Sequence, residues 1–236
     1  MVATRRRPLT QWAAIKHLAF CGLIAQALPF TLYAWAEHHI SSVAAGLVNS
    51  TTALWTGVLA IAILPEEKLS RVRAFGLVLG FVGVAVLLGV WDADFRGDWI
   101  AYAACAGATI GYAVSSLWIR KYVAPMNLDP YGAISTQLLF SSSFAGIVSL
   151  FVSHAPTSYP MAGVASIVML GAAGTGIALV LNFLLIQRAG AMATSTVTYS
   201  IPIVSTIAGA VVLREGVHWY EPVGAAIILL GVRSEE

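Results

Sequence analysis

The stretch AGVASIVMLGAAGTGIALVLNFLLIQ, residues 162–187, runs for 26 residues without a charged side chain. A helix of that length more than crosses the hydrocarbon core of a bilayer, roughly 30 Å, for which about 20 apolar residues suffice. A closed β-barrel is disfavoured, because barrel strands alternate apolar and polar positions over about ten residues. Here Ala, Gly, Leu, Val and Ile follow one another in unbroken runs, as a spanning helix requires.

Outward from this stretch the same character recurs. Apolar runs at 13–36, 40–64, 73–90, 99–119, 131–152, 191–213 and 219–232 join it to predict an all-α integral membrane protein of about eight transmembrane helices. The last run, about fourteen residues, reaches across only with Trp219, Tyr220 and the flanks at the interface. Of 236 residues, 58% are hydrophobic and 10% charged, against roughly a quarter charged in a soluble domain, so no sizeable soluble domain is expected. The basic start Arg5-Arg6-Arg7 is followed by Pro8 and Gln11, and the apolar stretch beyond is expected to remain as a full span rather than be cleaved.

The net charge is +2 and the basic residues sit in short clusters between apolar runs, which points to orientation signals and gives no nucleic acid partner. With the N-terminus cytoplasmic, only Arg96 and Arg214 of the 13 Lys and Arg residues face outward, in keeping with the positive-inside rule. Both termini are then cytoplasmic, and the acidic segment from Trp91 to Trp99 lies outside. The expected location is the bacterial cytoplasmic membrane. Cys21 and Cys105 fall inside spans and read as buried thiols rather than a disulfide or metal site.

A weak internal repeat lays Leu28-Pro29-Phe30, followed by Ser41-Ser42, on Leu181-Asn182-Phe183, followed by Thr194-Ser195; Glu67, Gly76 and Gly83 then match Glu215, Gly224 and Gly231. The first copy begins running outward and the second inward, so the repeat is inverted, as in many secondary transporters.

Two polar stripes carry the candidate site. Ser42, Ala45, Asn49, Thr52 and Thr56 are spaced by three and four residues and share a face of the second span; Thr194, Thr198 and Ser205, with Ser195, Tyr199 and Thr206 beside them, do so in the seventh. A single Ser or Thr at membrane depth is well explained by a bond to the preceding turn's carbonyl. Two whole stripes, with Asn49 and Asn182 whose amides each need several partners, point to a water-lined cavity. Tyr33, Trp55 and Tyr112 are aromatic candidates for its wall; Trp35 and Trp118 lie near span ends and suit an interfacial belt. Pro29 and Pro202 are expected to kink their helices. Gly76 and Gly80, and Ala103, Gly107 and Gly111, are spaced for close helix packing.

No Asp, Glu, Lys or Arg lies near the centre of a span, so ion coupling has no evident seat. Glu37, His38 and His39 read as a solvated helix end, and His17 is isolated. No metal site or cofactor is expected. Neither HExxH, GxSxG nor a pair of buried carboxylates occurs, so the protein is not expected to be an enzyme.

Leu28 to Ala36 (LPFTLYAWA), Asn49 to Thr56 (NSTTALWT), Pro65-Glu66-Glu67 and Gly76 to Gly83 resemble the drug/metabolite transporter superfamily, EamA-type, and Pro202, Glu215, Gly224 and Gly231 look like the second half of the same pattern. The resemblance implies ten helices in two inverted five-helix repeats, a central cavity, and alternating access for small solutes. Two departures stand out. Ala53 occupies a position where many relatives carry proline, which removes that source of a kink. The Arg-rich start looks like the loop between the family's second and third helices, so the resemblance implies a truncated first repeat of three helices (1–97) before a complete one of five (98–236). The expected function is a transporter of small organic metabolites or drug-like solutes, with export favoured by analogy. The alternatives are a membrane structural or assembly protein, or an inactive fragment. The expected partners are a small-molecule solute and the lipid bilayer, with homo-oligomerisation as a way to cover polar faces left by absent helices.

Overall fold

The computed structural model describes residues 12–64, 70–92, 98–152, 160–208, 210–211 and 218–233, and among these the regular structure is entirely helical. Eight helices occur at the expected spans. They are α1 (Trp12–Ala36), α2 (Ser42–Ile63), α3 (Arg71–Leu87), α4 (Trp99–Met126), α5 (Pro130–Val152), α6 (Met161–Ala189), α7 in two pieces (Ala191–Ser195 and Val197–Ala208) and α8 (Tyr220–Arg233). Arg5, Arg6, Arg7, Pro65, Glu66, Glu67, Lys68, Asp94, Arg96, Arg214, Glu215 and the side chain of Ser205 lie outside the described residues.

Short polar side chains start several helices by accepting from an otherwise orphaned N–H. Ser41 accepts from Ala44 N–H and Ser70 from Arg73 N–H, each at 3.2 Å. Asp98 accepts from Ile100 N–H and Asp129 from Gly132 N–H, each at 3.0 Å. Helix α4 overruns its expected end at 119 because a π turn, Ile119–Val123, and a 3-10 turn, Ala124–Met126, carry Arg120 and Lys121 into the helix. It stops where Asn127 turns left-handed, φ 49°.

The helix α1 contains a π turn at Leu23–Ala27, where Leu28 N–H reaches back to the Leu23 carbonyl. Pro29 follows directly. It has no N–H to offer the carbonyl one turn back, and a wide turn is one way to redistribute the bonds around that gap.

Helix packing places a cavity between the two halves. The first half of α1 packs on α5 and its second half on α4. Helices α3 and α8 form the most extensive pair and run antiparallel, with Gly83 against Ile228 and Gly231 against Gly80. Their backbones approach so closely that a Cβ on Gly224 would lie 2.4 Å from Leu87 N. This proximity explains how a helix as short as α8 is held. Ala103 and Gly107 do not join such a seam: both are exposed, and it is Gly111 that packs tightly on α1, at the carbonyl of Ile24.

No residue of Met161–Met169 in α6 is buried; Met161 is 81% and Ile167 73% exposed. A continuous apolar surface of this kind suits lipid, and with five helices long and apolar enough to cross a bilayer among the described residues the chain is a multi-pass membrane protein. Basic residues collect at one end of the bundle. There Arg120 donates to the Gln187 carbonyl at 3.0 Å, and Lys16 sits over the Trp12 ring.

Candidate functional site

Six helices, all but α3 and α8, line a half-open cavity of about 750 Å³. It draws on α1 and α2 from the first half of the chain and on α6 and α7 from the second, with α4 and α5 completing the lining. Its walls are mainly apolar, with polar groups set among them, the usual character of a small-molecule site.

Five of the expected residues line this space together: Asn49 and Thr52 on α2, Tyr112 on α4, Asn182 on α6 and Thr198 on α7. Thr194 and Ser195 of the second stripe join them. Tyr33 stands one layer behind. Its hydroxyl donates to Asn49 Oδ1 at 3.2 Å and its ring stacks 6.5 Å from that of Tyr112. Tyr33 takes one of the two acceptor sites of the Asn49 oxygen and neither N–H of its amide, so both N–H groups remain available to the cavity. Asn182 is exposed and makes no side-chain hydrogen bond to another described residue.

Two expected wall residues lie elsewhere. Tyr199 is fully buried; its hydroxyl donates to the Leu77 carbonyl at 2.9 Å and its ring lies against Gly80, so it pins α7 to α3. Neighbouring positions on a helix point about 100° apart, and with Thr198 facing the cavity Tyr199 faces the seam. Trp55 is 37% exposed and does not line the cavity.

The helices that carry the stripes are each broken once, α2 at Thr51 and α7 at Thr196, although Ala53 provides no proline. Runs of three hydroxyls stitch both breaks. Ser50, Thr51 and Thr52 donate to the carbonyls of Leu47, Val48 and Asn49 at 2.7, 2.6 and 2.7 Å. Thr194, Ser195 and Thr196 donate to those of Gly190, Met192 and Ala193 at 2.6, 2.7 and 2.8 Å. Such back-bonding satisfies carbonyls and bends helices. Pro202 lies six residues beyond the second break, inside α7.

Several polar wall residues were not legible as such. Gln26 on α1, Gln137 on α5, and Ser115 and Ser116 on α4 all line the cavity. Gln26 and Gln137 bond to each other, Gln26 Nε2 donating to Gln137 Oε1 at 3.1 Å, and both are only 2% exposed. The reasoning that singled out Asn49 and Asn182, that a primary amide inside a span needs several partners, applies equally to these glutamines. His17 is not isolated. The Trp118 indole donates to His17 Nδ1 at 3.0 Å, and His17 stacks on Tyr122 at 5.4 Å.

Comparison with known proteins gives concordant results. The EamA-like transporter family matches residues 1–89 and 99–233. The chain is similar to an uncharacterized transporter of Archaeoglobus fulgidus, 22% identical over 226 residues, which cover 94% of this chain and 78% of that protein. It is also similar to the uncharacterized transporter YcxC of Bacillus subtilis, 26% identical over 228 residues, covering 89% and 69%. One solved crystal structure superposes with a TM-score of 0.80 over 98% of this chain and 77% of its own, at 23% identity, a likeness of fold.

Proposed function

This chain belongs to the EamA-like transporter family, and we propose that it carries small organic metabolites or drug-like solutes across the bacterial cytoplasmic membrane by alternating access, in the direction of export. The observation that carries this reading is the cavity shared by the two halves, into which Asn49 and Thr52 project from one and Asn182, Thr194 and Thr198 from the other. Paired helices from two inverted units enclosing one site are the arrangement in which rocking one unit against the other exposes that site alternately. The breaks at Thr51 and Thr196 support it by supplying a bend in each unit beside the cavity. We put the unit boundary at residue 97, a reading supported by the family model matching 1–89 and 99–233 as separate stretches. Both termini are assigned to the cytoplasm, the side on which the positive-inside rule puts the end bearing Lys16, Arg120 and Arg188.

The test is flux in reconstituted liposomes, with amino acids, nucleosides and toxic organic cations supplied in turn. Accelerated exchange of at least one class over protein-free vesicles is expected. A flat response to every class would remove the carrier reading and leave a membrane protein of structural role.

A further inference from the structure

We propose that Gln137 is the specificity-determining donor of the cavity, selecting uncharged solutes that carry a carbonyl oxygen over organic ions. The inference rests on the carrier reading above and names the solute chemistry for it.

The geometry is a directional chain of hydrogen bonds. Ser141 Oγ donates to Gln26 Oε1 at 3.1 Å, and Gln26 Nε2 donates to Gln137 Oε1 at 3.1 Å. Ser141 Oγ lies equally near the Leu138 carbonyl, at 3.1 Å, so the orienting contact is the one between the amides: with Gln26 Nε2 donating, turning Gln137 alone would set donor against donor. The chain ends at Gln137 Nε2, which is buried and has no hydrogen-bond partner. Gln137 lines the cavity, so the chain ends on a residue of its wall, with the unpaired donor buried just behind the surface.

A buried N–H group left without an acceptor is costly, and an acceptor arriving from the cavity recovers that cost. Among the described residues that line the cavity there is no Asp, Glu, Lys, Arg or His. A solute ion would leave its hydration shell and meet no countercharge. A neutral carbonyl meets the unpaired amide N–H instead, with the apolar walls left for its hydrocarbon part. Asn49, whose oxygen accepts from Tyr33, lines the same space and brings further N–H donors to it.

The test uses the full chain in lipid nanodiscs and three probes that share a phenyl group: N-acetylphenylalaninamide (neutral, two carbonyls), phenylethylammonium and phenylacetate. Binding is measured by calorimetric titration, and flux of the same probes in liposomes. The parent is expected to bind the neutral probe about tenfold more tightly than either ion, roughly the effect of one well-placed hydrogen bond. Gln137→Leu is expected to abolish that preference. Gln137→Glu keeps an acceptor for Gln26 and is expected to shift the preference toward the ammonium, a gain that misfolding cannot produce. A parent that prefers the ammonium, or that binds none of the probes, overturns the proposal. So does a preference that stays within twofold of the parent's in every variant that folds. Binding that depends on Gln137 without flux removes the carrier reading and keeps the site; flux indifferent to Gln137 does the reverse.

Discussion

Replacing Gly224 by alanine should separate α3 from α8. The added Cβ would lie 2.4 Å from Leu87 N and 2.5 Å from both Leu87 Cα and Cβ. Two of those are backbone atoms that no rotamer change can move, so the helices must part by about 1 Å to restore an ordinary carbon contact near 3.5 Å. Overpacking of this kind costs typically 1–3 kcal/mol, and backbone overlap places it at about 3. Alanine recovers about 1 kcal/mol of helix propensity over glycine, leaving a net loss of about 2 kcal/mol, or roughly thirtyfold in the unfolding equilibrium. Gly107 is the internal control. A Cβ there meets nothing closer than Leu32 Cδ1 at 4.0 Å, so Gly107→Ala should keep only the propensity gain and be stabilised. Thermal unfolding of both variants in one detergent, followed by fluorescence-detected size exclusion, gives the comparison. A Gly224→Ala protein that melts at or above the parent would refute the seam as described.

Three further outcomes follow from the same contacts. Asn182→Ala should lower solute flux about tenfold or more with an unchanged melting temperature, since that side chain bonds no described residue, whereas Asn49→Ala should lose flux and about 1 kcal/mol of stability through the stranded Tyr33 hydroxyl; loss of folded yield in step with flux for both would remove the cavity assignment. Tyr199→Phe should lower the melting temperature by the loss of one hydrogen bond, about 1 kcal/mol, and leave the ranking of solutes unchanged; a reordered ranking would return Tyr199 to the cavity wall. Cysteine at Asp92 should react with an impermeant thiol reagent in intact cells and cysteine at Arg71 only after lysis, and reversed labelling would invert the orientation.

Helix number and position were legible because hydropathy reports where a chain meets lipid, and that depends on few tertiary details. Helix ends were less so. Arg120 and Lys121 read as loop, yet the α4 backbone continues beneath them and Arg120 finds its partner on the next helix pair, at Gln187. Within the site, the spacing of Asn49, Thr52 and Thr198 was sufficient to place them on one face each. It could not say that Thr198 and Tyr199, adjacent on α7, part ways, since which of two neighbours faces inward is settled by α3. The hydroxyls were ambiguous for a physical reason. Thr52, Thr194 and Ser195 line the cavity and also donate to carbonyls of their own helix, so wall and stitch are the same residues. Gln26 and Gln137 form no stripe; they lie 111 residues apart, and only the crossing of α1 and α5 makes them a pair.

The unequal helices have a consequence for the surrounding lipid. At about 1.5 Å per residue, the 29 residues of α6 extend roughly 44 Å, the 17 of α3 about 26 Å and the 14 of α8 about 21 Å. A bilayer core of about 30 Å cannot match all three. The α6 side must lean or draw thicker membrane toward it, and the α3–α8 side must be met by lipid that thins or by headgroups that dip inward. Where α6 does not take up its excess by leaning, longer acyl chains suit the α6 side and shorter ones the α3 side.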